Sequence, residues 1–433
     1  MQEVILRISE LKDFVDQQVE ITGWVIGKRS SGKIHFILIR DSSAFCQVVV
    51  AEKEVHPEVF EQCKHLNIET VIKIKALAVE EPRAKLGYEL HLKDMEVLST
   101  PVDEYPIPRK PSGPDFLLNY RHLWIRSPRQ SAIMRIRSKV ISAIRNYLDQ
   151  QGFYCVDTPI FTASSCEGTT TLFKVDYFNQ DVFLAQTGQL YNEATALCLD
   201  KVYCFGPSFR AEKSKTRRHL TEFWQVEPEF LFARLEDIIN LAEGMIVRIV
   251  EEILTHHQID LKILDRDISK LEQVKAPFPR MTYDQALQLL QEKNISAEWG
   301  KDFGAPEETK ISESFNSPVC IHRYPSAIKA FYMKQAPEDN RLALGVDILA
   351  PEGYGEIVGG GVREEDIAIL EQRIDQHQLN RDDYQWYLDL RRYGSVPHGG
   401  FGLGIERTVA WICGIHHIRE TIAFPRTIDR IKP

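Results

Sequence analysis

The sequence predicts an α+β protein of two domains: a small five-stranded β-barrel first, then a larger domain whose mostly antiparallel sheet is flanked by helices. Three observations carry this. Residues 1–98 hold five short strand patterns and one helix signal. A proline-rich run interrupts the chain just after residue 100. Beyond it, strand patterns follow one another without a helix between each pair, which argues against a doubly wound parallel sheet. With 433 residues the chain exceeds one ordinary domain of roughly 150 residues. Its 43 % apolar and 27 % charged content suits a globular protein with a large core.

In the first domain, taken as 1–99, the strands read VEITGWV at 19–25, KIHFILIRD at 33–41, CQVVV at 46–50, ETVIKIKALAV at 69–79 and YELHLKDMEVL at 88–98, with a helix opening at Pro57. Five strands and one helix in about 100 residues fit a Greek-key barrel of the OB type, a fold that often offers a sheet face to single-stranded nucleic acid. Pro101, Pro106, Pro108, Pro111 and Pro114 crowd next to Gly113, so 100–118 reads as a linker, incompatible with regular helix or central strand. The second domain, 119–433, opens with a helix at Ser127-Pro128 that carries Ile133, Ile136, Val140, Ile144 and Leu148 at spacings of three and four and stops at Gly152. A strand then runs to Pro159. Further strand patterns (DVFLAQ, KVYCFGPSFR, LTEFWQVEPEFLF) and amphipathic helices over 235–254 and 364–390 complete the domain.

The composition narrows the function. No apolar run is long enough to cross a bilayer, and the segment MQEVILRISELKDF has no signal-peptide layout, so a cytoplasmic protein without a membrane partner is expected. A formal charge of −9 argues against a protein that coats DNA, but leaves room for RNA bound through local basic patches. The eight cysteines form no C-x-x-C pair and read as reduced thiols, not a metal knuckle.

Three segments carry chemistry. In FRAEKSKTRRHLTEFWQVEPE (209–229), Arg210, Glu212, a basic loop with His219, and Phe223 form a hairpin suited to a nucleotide. Arginine pairs with phosphate, a carboxylate accepts from an exocyclic amine, and an aromatic face stacks on a base. In HGGFGLGIERTVAWICGI (398–415), glycines lead into a helix bearing Glu406 and Arg407. The G-x-G-x-x-G dinucleotide spacing is missing. In DILAPEGYGEIVGGGVRE (347–364), Asp347 and Glu356 near Arg363 suit Mg²⁺, which one or two carboxylates hold together with substrate phosphates. Asp302-Phe303-Gly304 imitates a kinase motif but lacks its companion motifs.

In this order and spacing the segments resemble the three signature motifs of the class II aminoacyl-tRNA synthetases, with helix–strand–Pro159 as the first. The resemblance covers nearly the whole chain. It is closest in kind to the aspartyl/asparaginyl/lysyl subgroup, which joins an anticodon-reading OB barrel to a class II catalytic domain. RYPSAIKAFYM, WYLDLRRYG and ETIAFPRT look similar to the asparaginyl branch. The resemblance implies that L-asparagine and ATP form an aminoacyl-adenylate, and that tRNA(Asn) then takes the acyl group. By the same resemblance Arg210 binds the α-phosphate, Glu212 and Phe223 the adenine, and His219 and Arg407 the terminal phosphates. Asp347 and Glu356 hold Mg²⁺, and Glu167 and Gln189 the α-amino group. The first motif implies a homodimer.

For the substrate side chain, aspartyl relatives read S-P-Q-L-Y-K-Q where Thr187–Glu193 reads T-G-Q-L-Y-N-E. Asn192 replaces the lysine, and Glu193 is expected to accept from the side-chain amide and repel aspartate, with Arg363 donating to the side-chain oxygen. Gly361 and Val362 depart from the asparaginyl G-G-S-Q-R-E run and remove two polar side chains there. In the barrel, Arg29, Phe36 and Gln47 match the positions that grip the anticodon, Phe36 as the stacking platform. By itself Phe36 is also compatible with barrel core. Two alternatives stand beside this reading: an aspartyl enzyme that does not discriminate, and a synthetase-like paralogue acting as a small-molecule ligase or binding module.

Overall fold

The computed structural model describes residues 6–108, 110–166 and 172–433. Five strands close into a barrel: β1 (Gln18–Ser31), β2 (Ile34–Arg40), β3 (Phe45–Ala51), β4 (Val71–Glu80) and β5 (Tyr88–Ser99), in the order β1-β2-β3-β5-β4. Alternation dictates the closure. Ile37, Ile39, Cys46, Val48, Val50, Ile72, Ile74 and Leu90 point inward and are almost completely buried, while their neighbours face out. Helix α1 (Pro57–His65) begins at the expected proline. The linker holds one element that proline content alone conceals: a helix over Pro114–Asn119, in which Pro114 occupies the first turn, where a missing N–H costs nothing. The compact unit built on the barrel comprises residues 1–135, 257–266 and 432–433.

The second unit, residues 136–256 and 267–431, is organised by an eight-stranded sheet. Its strands are β6 (Tyr154–Cys155), β7 (Lys201–Phe209), β8 (Glu222–Leu231), β9 (Arg280–Thr282), β10 (Val319–His322), β11 (Gly345–Ala350), β12 (Gly355–Val362) and β13 (His398–Gly404). They lie in the order β9-β10-β11-β12-β13-β8-β7-β6. The five inner pairings are antiparallel, and the two outermost, β9 with β10 and β6 with β7, are parallel. The sheet is therefore mixed at its edges, where crossover segments return the chain.

Helix α2 (Pro128–Gln150) buries the predicted stripe completely, from Ile133 to Leu148. Helices α3 (Gln189–Leu199) and α4 (Leu235–His256) follow. The single helix expected over 364–390 is instead two, α5 (Ile367–Gln376) and α6 (Gln385–Arg392). Gln378 adopts φ 56° between them, and Asn380 caps a short 3₁₀ turn. The apolar spacing continues across this break because both pieces cover one core cluster, with Leu370, Ile374, Tyr387 and Leu388. Helix α7 (Ile405–Cys413) closes the domain and ends on Gly414 in the left-handed region.

Candidate functional site

Strands β7 and β8 form a hairpin in which Ser208 pairs with Phe223 and Phe209 with Glu222, and the turn 210–221 projects beyond the sheet. The hairpin gathers the first predicted set. A cavity of about 630 Å³ is lined by Arg210, Glu212, His219, Phe223, Glu356 and Arg407, among others. The Arg210 guanidinium lies 5.4 Å from the Phe223 ring centre, and His219 Nε2 lies 3.5 Å from Glu212 Oε2. Arg407 donates to the Glu356 carbonyl at 2.8 Å. Burial and the Arg407 charge hold the His219 ring below its ordinary value. Behind this wall, Arg137 of α2 pairs with Glu406 of α7 at 2.8 Å, and Glu406 accepts from the Trp224 N–H at 3.0 Å.

A larger cavity of about 1650 Å³ adjoins the first, since Arg210, Gln225, Glu356 and Gly402 line both. Its floor is a transverse row of the sheet: Asp347 pairs with Gly359, and Gly359 with Gly402, with Glu227 of β8 beyond. Glycine leaves this row open to side chains from the neighbouring strands. A Cβ on Gly359 would lie 2.5 Å from Glu356 Oε1 and 3.5 Å from Asp347 Oδ1, so both carboxylates converge over it. Lys329 pairs with Asp347 at 2.7 Å. Burial pushes the Asp347 carboxyl up to about 6 against the pull of Lys329, and burial with the neighbouring Glu356 pushes Glu308 up to about 7. Burial raises Asp302 as well. So many carboxyls in one low-dielectric corner form a surplus of oxygen ligands and negative charge, which fits a hard divalent cation at Asp347 and Glu356.

The residues predicted to meet the amino acid separate into two groups. Gln189 and Arg363 line the larger cavity. Two of the three Arg363 nitrogens are engaged by Glu229, Nε at 3.0 Å and Nη2 at 2.9 Å. Glu167 lies outside the described residues. Glu193 does not reach the cavity, which corrects the expectation that it accepts from the substrate amide. It is completely buried on α3, and both its oxygens are taken. Oε1 accepts from Gln189 Nε2 at 3.0 Å, and the Tyr387 hydroxyl reaches both oxygens, Oε2 more closely at 2.7 Å. Oε2 accepts from Arg391 at 2.6 Å and His398 Nε2 at 3.0 Å. Burial pushes the Glu193 carboxyl up, but Arg391 and His398 outweigh it and hold it below the usual carboxylate range. Glu193, Glu229 and His398 are close enough to hold a metal, yet Arg391 and Arg363 already neutralise the two carboxylates.

Besides Asp302, Asp347 and Glu356, the larger cavity is lined by a carboxylate that the three motifs do not single out, Glu227. It accepts from the Thr187 hydroxyl, from the Gly188 N–H at 2.9 Å and from the Cys204 thiol at 3.1 Å. The signal for it was present: Phe223, Gln225, Glu227 and Glu229 alternate along β8, so one face carries all four.

In the barrel, the expected nucleic-acid residues share the outer face. Arg29 and Phe36 are cross-strand partners, with the guanidinium 4.3 Å from the ring centre. Phe36 is half-buried and alternates with the inward His35 and Ile37, so it is not barrel core. Gln47 pairs with Leu38 on the same face and donates to Glu89 at 3.0 Å.

Comparison with known proteins gives consistent likenesses. The family described as "tRNA synthetases class II (D, K and N)" matches residues 113–428, and "OB-fold nucleic acid binding domain" matches residues 19–98. The chain is 54 % identical to an asparagine–tRNA ligase of Desulforamulus reducens, over 98 % of this chain and 99 % of that one. It is 50 % identical to its Sorangium cellulosum counterpart, over 99 % of both. Among solved structures, asparaginyl-tRNA synthetase of Pyrococcus horikoshii complexed with asparaginyl-adenylate superposes with a TM-score of 0.91 at 44 % identity, over 100 % of both chains. The Entamoeba histolytica asparaginyl-tRNA synthetase with the same adenylate gives 0.86 at 30 %, also over 100 % of both.

Proposed function

The chain belongs to the class II tRNA synthetases of the D, K and N group, and from that premise we infer that it is an asparagine–tRNA ligase, activating asparagine with ATP and passing it to tRNA. The observation that carries the reading is Arg210, among the described residues the one cation that lines both adjoining cavities. ATP occupies the smaller cavity, with its adenine against Phe223 and Glu212 and its terminal phosphates toward His219 and Arg407. Asparagine occupies the larger one, its α-amino group toward Gln189 and its side chain between Glu227 and Arg363. Arg210 then stands at the α-phosphate, where the two substrates meet. The asparagine carboxylate is already ionised at neutral pH, so attack on phosphorus needs no general base. Positioning and charge neutralisation carry the rate. Magnesium, held by Asp347 and Glu356, would supply neutralisation of the phosphate oxygens. Pyrophosphate leaves, and the tRNA 3′-hydroxyl then takes the acyl group from the adenylate, with AMP as the leaving group.

We assign the chemistry to 119–433 and anticodon reading to the barrel of 1–99, across the linker 100–118. Eight free thiols, and no helix among the described residues long and apolar enough to cross a membrane, support placing the protein in the cytoplasm. The test is pyrophosphate exchange into ATP with each amino acid in turn. Asparagine and magnesium are expected to be required, with aspartate at least about 100-fold poorer, since a second carboxylate facing Glu227 in a desolvated site is strongly disfavoured. Equal exchange with aspartate would remove the asparagine assignment.

Two further expectations follow from this reading. A homodimer is supported by the edge strand β6 and the residues after it: Tyr154, Ile160 and Phe161 are 60 %, 43 % and 49 % exposed, an open apolar edge that a two-fold partner would cover. Sedimentation at micromolar concentration should give twice the mass of one chain; an active monomer would contradict it. Phe36→Ala should leave exchange and melting temperature near wild type, because the ring is on the outer face of the barrel. Charging of tRNA should fall by roughly 5- to 150-fold, the loss of one base–aromatic stack. Unchanged charging by the folded variant removes the anticodon role of Phe36.

A further inference from the structure

The buried charge cluster beside the larger cavity has a definite protonation pattern. His398 Nδ1 lies 2.7 Å from the Val396 carbonyl oxygen, and Nε2 lies 3.0 Å from Glu193 Oε2. Both partners accept hydrogen bonds, so both ring nitrogens must donate, and the ring is an imidazolium. It is 1 % exposed. The charged groups around it come from four elements: Glu193 on α3, Glu229 on β8, Arg363 after β12 and Arg391 on α6. Arg391 Nη2 approaches His398 Nε2 to 3.4 Å, a contact of two donors that the shared Glu193 carboxylate, with Glu229 nearby, makes tolerable. The Arg363 N–H donates to the His398 carbonyl at 2.9 Å, tying this cluster to the backbone of a residue that lines the cavity.

Glu193 spends its remaining capacity on Gln189, one helical turn earlier on α3 and therefore on the same face. A side-chain amide can present either of its ends, and only the NH₂ end can donate to a carboxylate. With Nε2 held 3.0 Å from Glu193 Oε1, Gln189 offers Oε1 as its free end. We propose that Glu193, clamped by His398 and Arg391, is a positioning residue that never touches the amino acid: it fixes the Gln189 amide so that Oε1 faces the larger cavity as the acceptor for the substrate's α-ammonium group. The inference deepens the amino-acid activation reading and rests on it. It gives Glu193 a different task from Glu227: one end of the substrate is read through an oriented amide, the other by a carboxylate directly.

The experiment compares asparagine with succinamic acid, which is asparagine without its α-amino group, in pyrophosphate exchange by the full-length protein. Glu193→Gln places a second amide beside Gln189 and frees it to turn its NH₂ toward the ammonium. The KM for asparagine should rise about 10- to 100-fold, the usual range for losing a hydrogen bond to a charged group. Inhibition by succinamic acid should stay within about threefold, and the asparagine-to-aspartate ratio should hold. Should Glu193→Gln fail to fold, Glu193→Asp decides. It keeps the buried negative charge for Arg391 and His398 but is one methylene too short to hold Gln189 as well, and the same asparagine-specific loss is expected. Equal weakening of both ligands would assign Glu193 a purely structural role and overturn the proposal. So would an unchanged KM, and so would a collapsed asparagine-to-aspartate ratio, which would make Glu193 the side-chain reader. Wild-type exchange across amino acids tests the substrate assignment separately, and the amino versus desamino contrast can be run with whichever amino acid that assay selects.

Discussion

Arg210→Ala should lower asparagine-dependent pyrophosphate exchange by about 10²- to 10³-fold, the usual cost of deleting one preorganised donor to developing charge. The residue follows the last pair of the β7–β8 hairpin, where its N–H donates to the Thr221 carbonyl at 3.0 Å, so its backbone is fixed by the turn itself. Its guanidinium is steadied by the Phe223 ring and faces both cavities. Because charge on the transferred phosphoryl oxygens changes between ground state and transition state, the loss should fall on kcat more than on the KM for either substrate. Arg210→Lys should recover only part of the rate: the charge returns, but the planar fork that matches two phosphate oxygens does not. Melting temperature should be nearly unchanged, since the side chain sits at a half-buried hairpin end. A loss below tenfold in exchange would place the α-phosphate contact on another residue.

The second large effect concerns choice of amino acid. Glu227→Gln should cost asparagine about 100-fold in kcat/KM and bring aspartate within about tenfold of it, measured by exchange with each. Glu227 is suited to discriminate because three donors on one side hold it in place, leaving acceptor capacity for the substrate. An amide substrate supplies the missing donor, whereas a carboxylate brings a like charge into a site with little water. Neutralising Glu227 removes that repulsion while keeping nearly the same shape. An unchanged asparagine-to-aspartate ratio would show that selection resides elsewhere.

Glu193 and Glu227 illustrate what a sequence can reveal about such a site. The five barrel strands and the α2 stripe were legible because each is a local pattern in which apolar spacing matches the period of the element. The alternation along β8 is equally local, and it marks Glu227 once Phe223 is taken as facing the ligand. Glu193 is different. Its helical face can be read from spacing with Gln189, but not whether that face looks into the cavity or into the core. The residues that decide this, Tyr387, Arg391 and His398, are about 200 positions further along the chain. The sheet order was hidden for the same reason, since its two parallel edge pairings join distant segments. The split between α5 and α6 escaped because the apolar rhythm persists through a turn that one left-handed residue makes.

The transverse row that forms the floor of the larger cavity also acts as a caliper. Asp347, on β11, and Glu227, on β8, are separated by the two glycine-bearing strands, so three inter-strand steps of about 4.8 Å set a span of roughly 14 Å between their backbones. Backbone hydrogen bonds fix that spacing of the two attachment points. An amino acid one methylene longer than asparagine would have to shift its carboxylate away from the phosphate by about that methylene's length to keep its amide at Glu227. Glutamine, which carries the same amide, is thus expected to be rejected by length and not by charge, and exchange with glutamine should stay poor at every ionic strength.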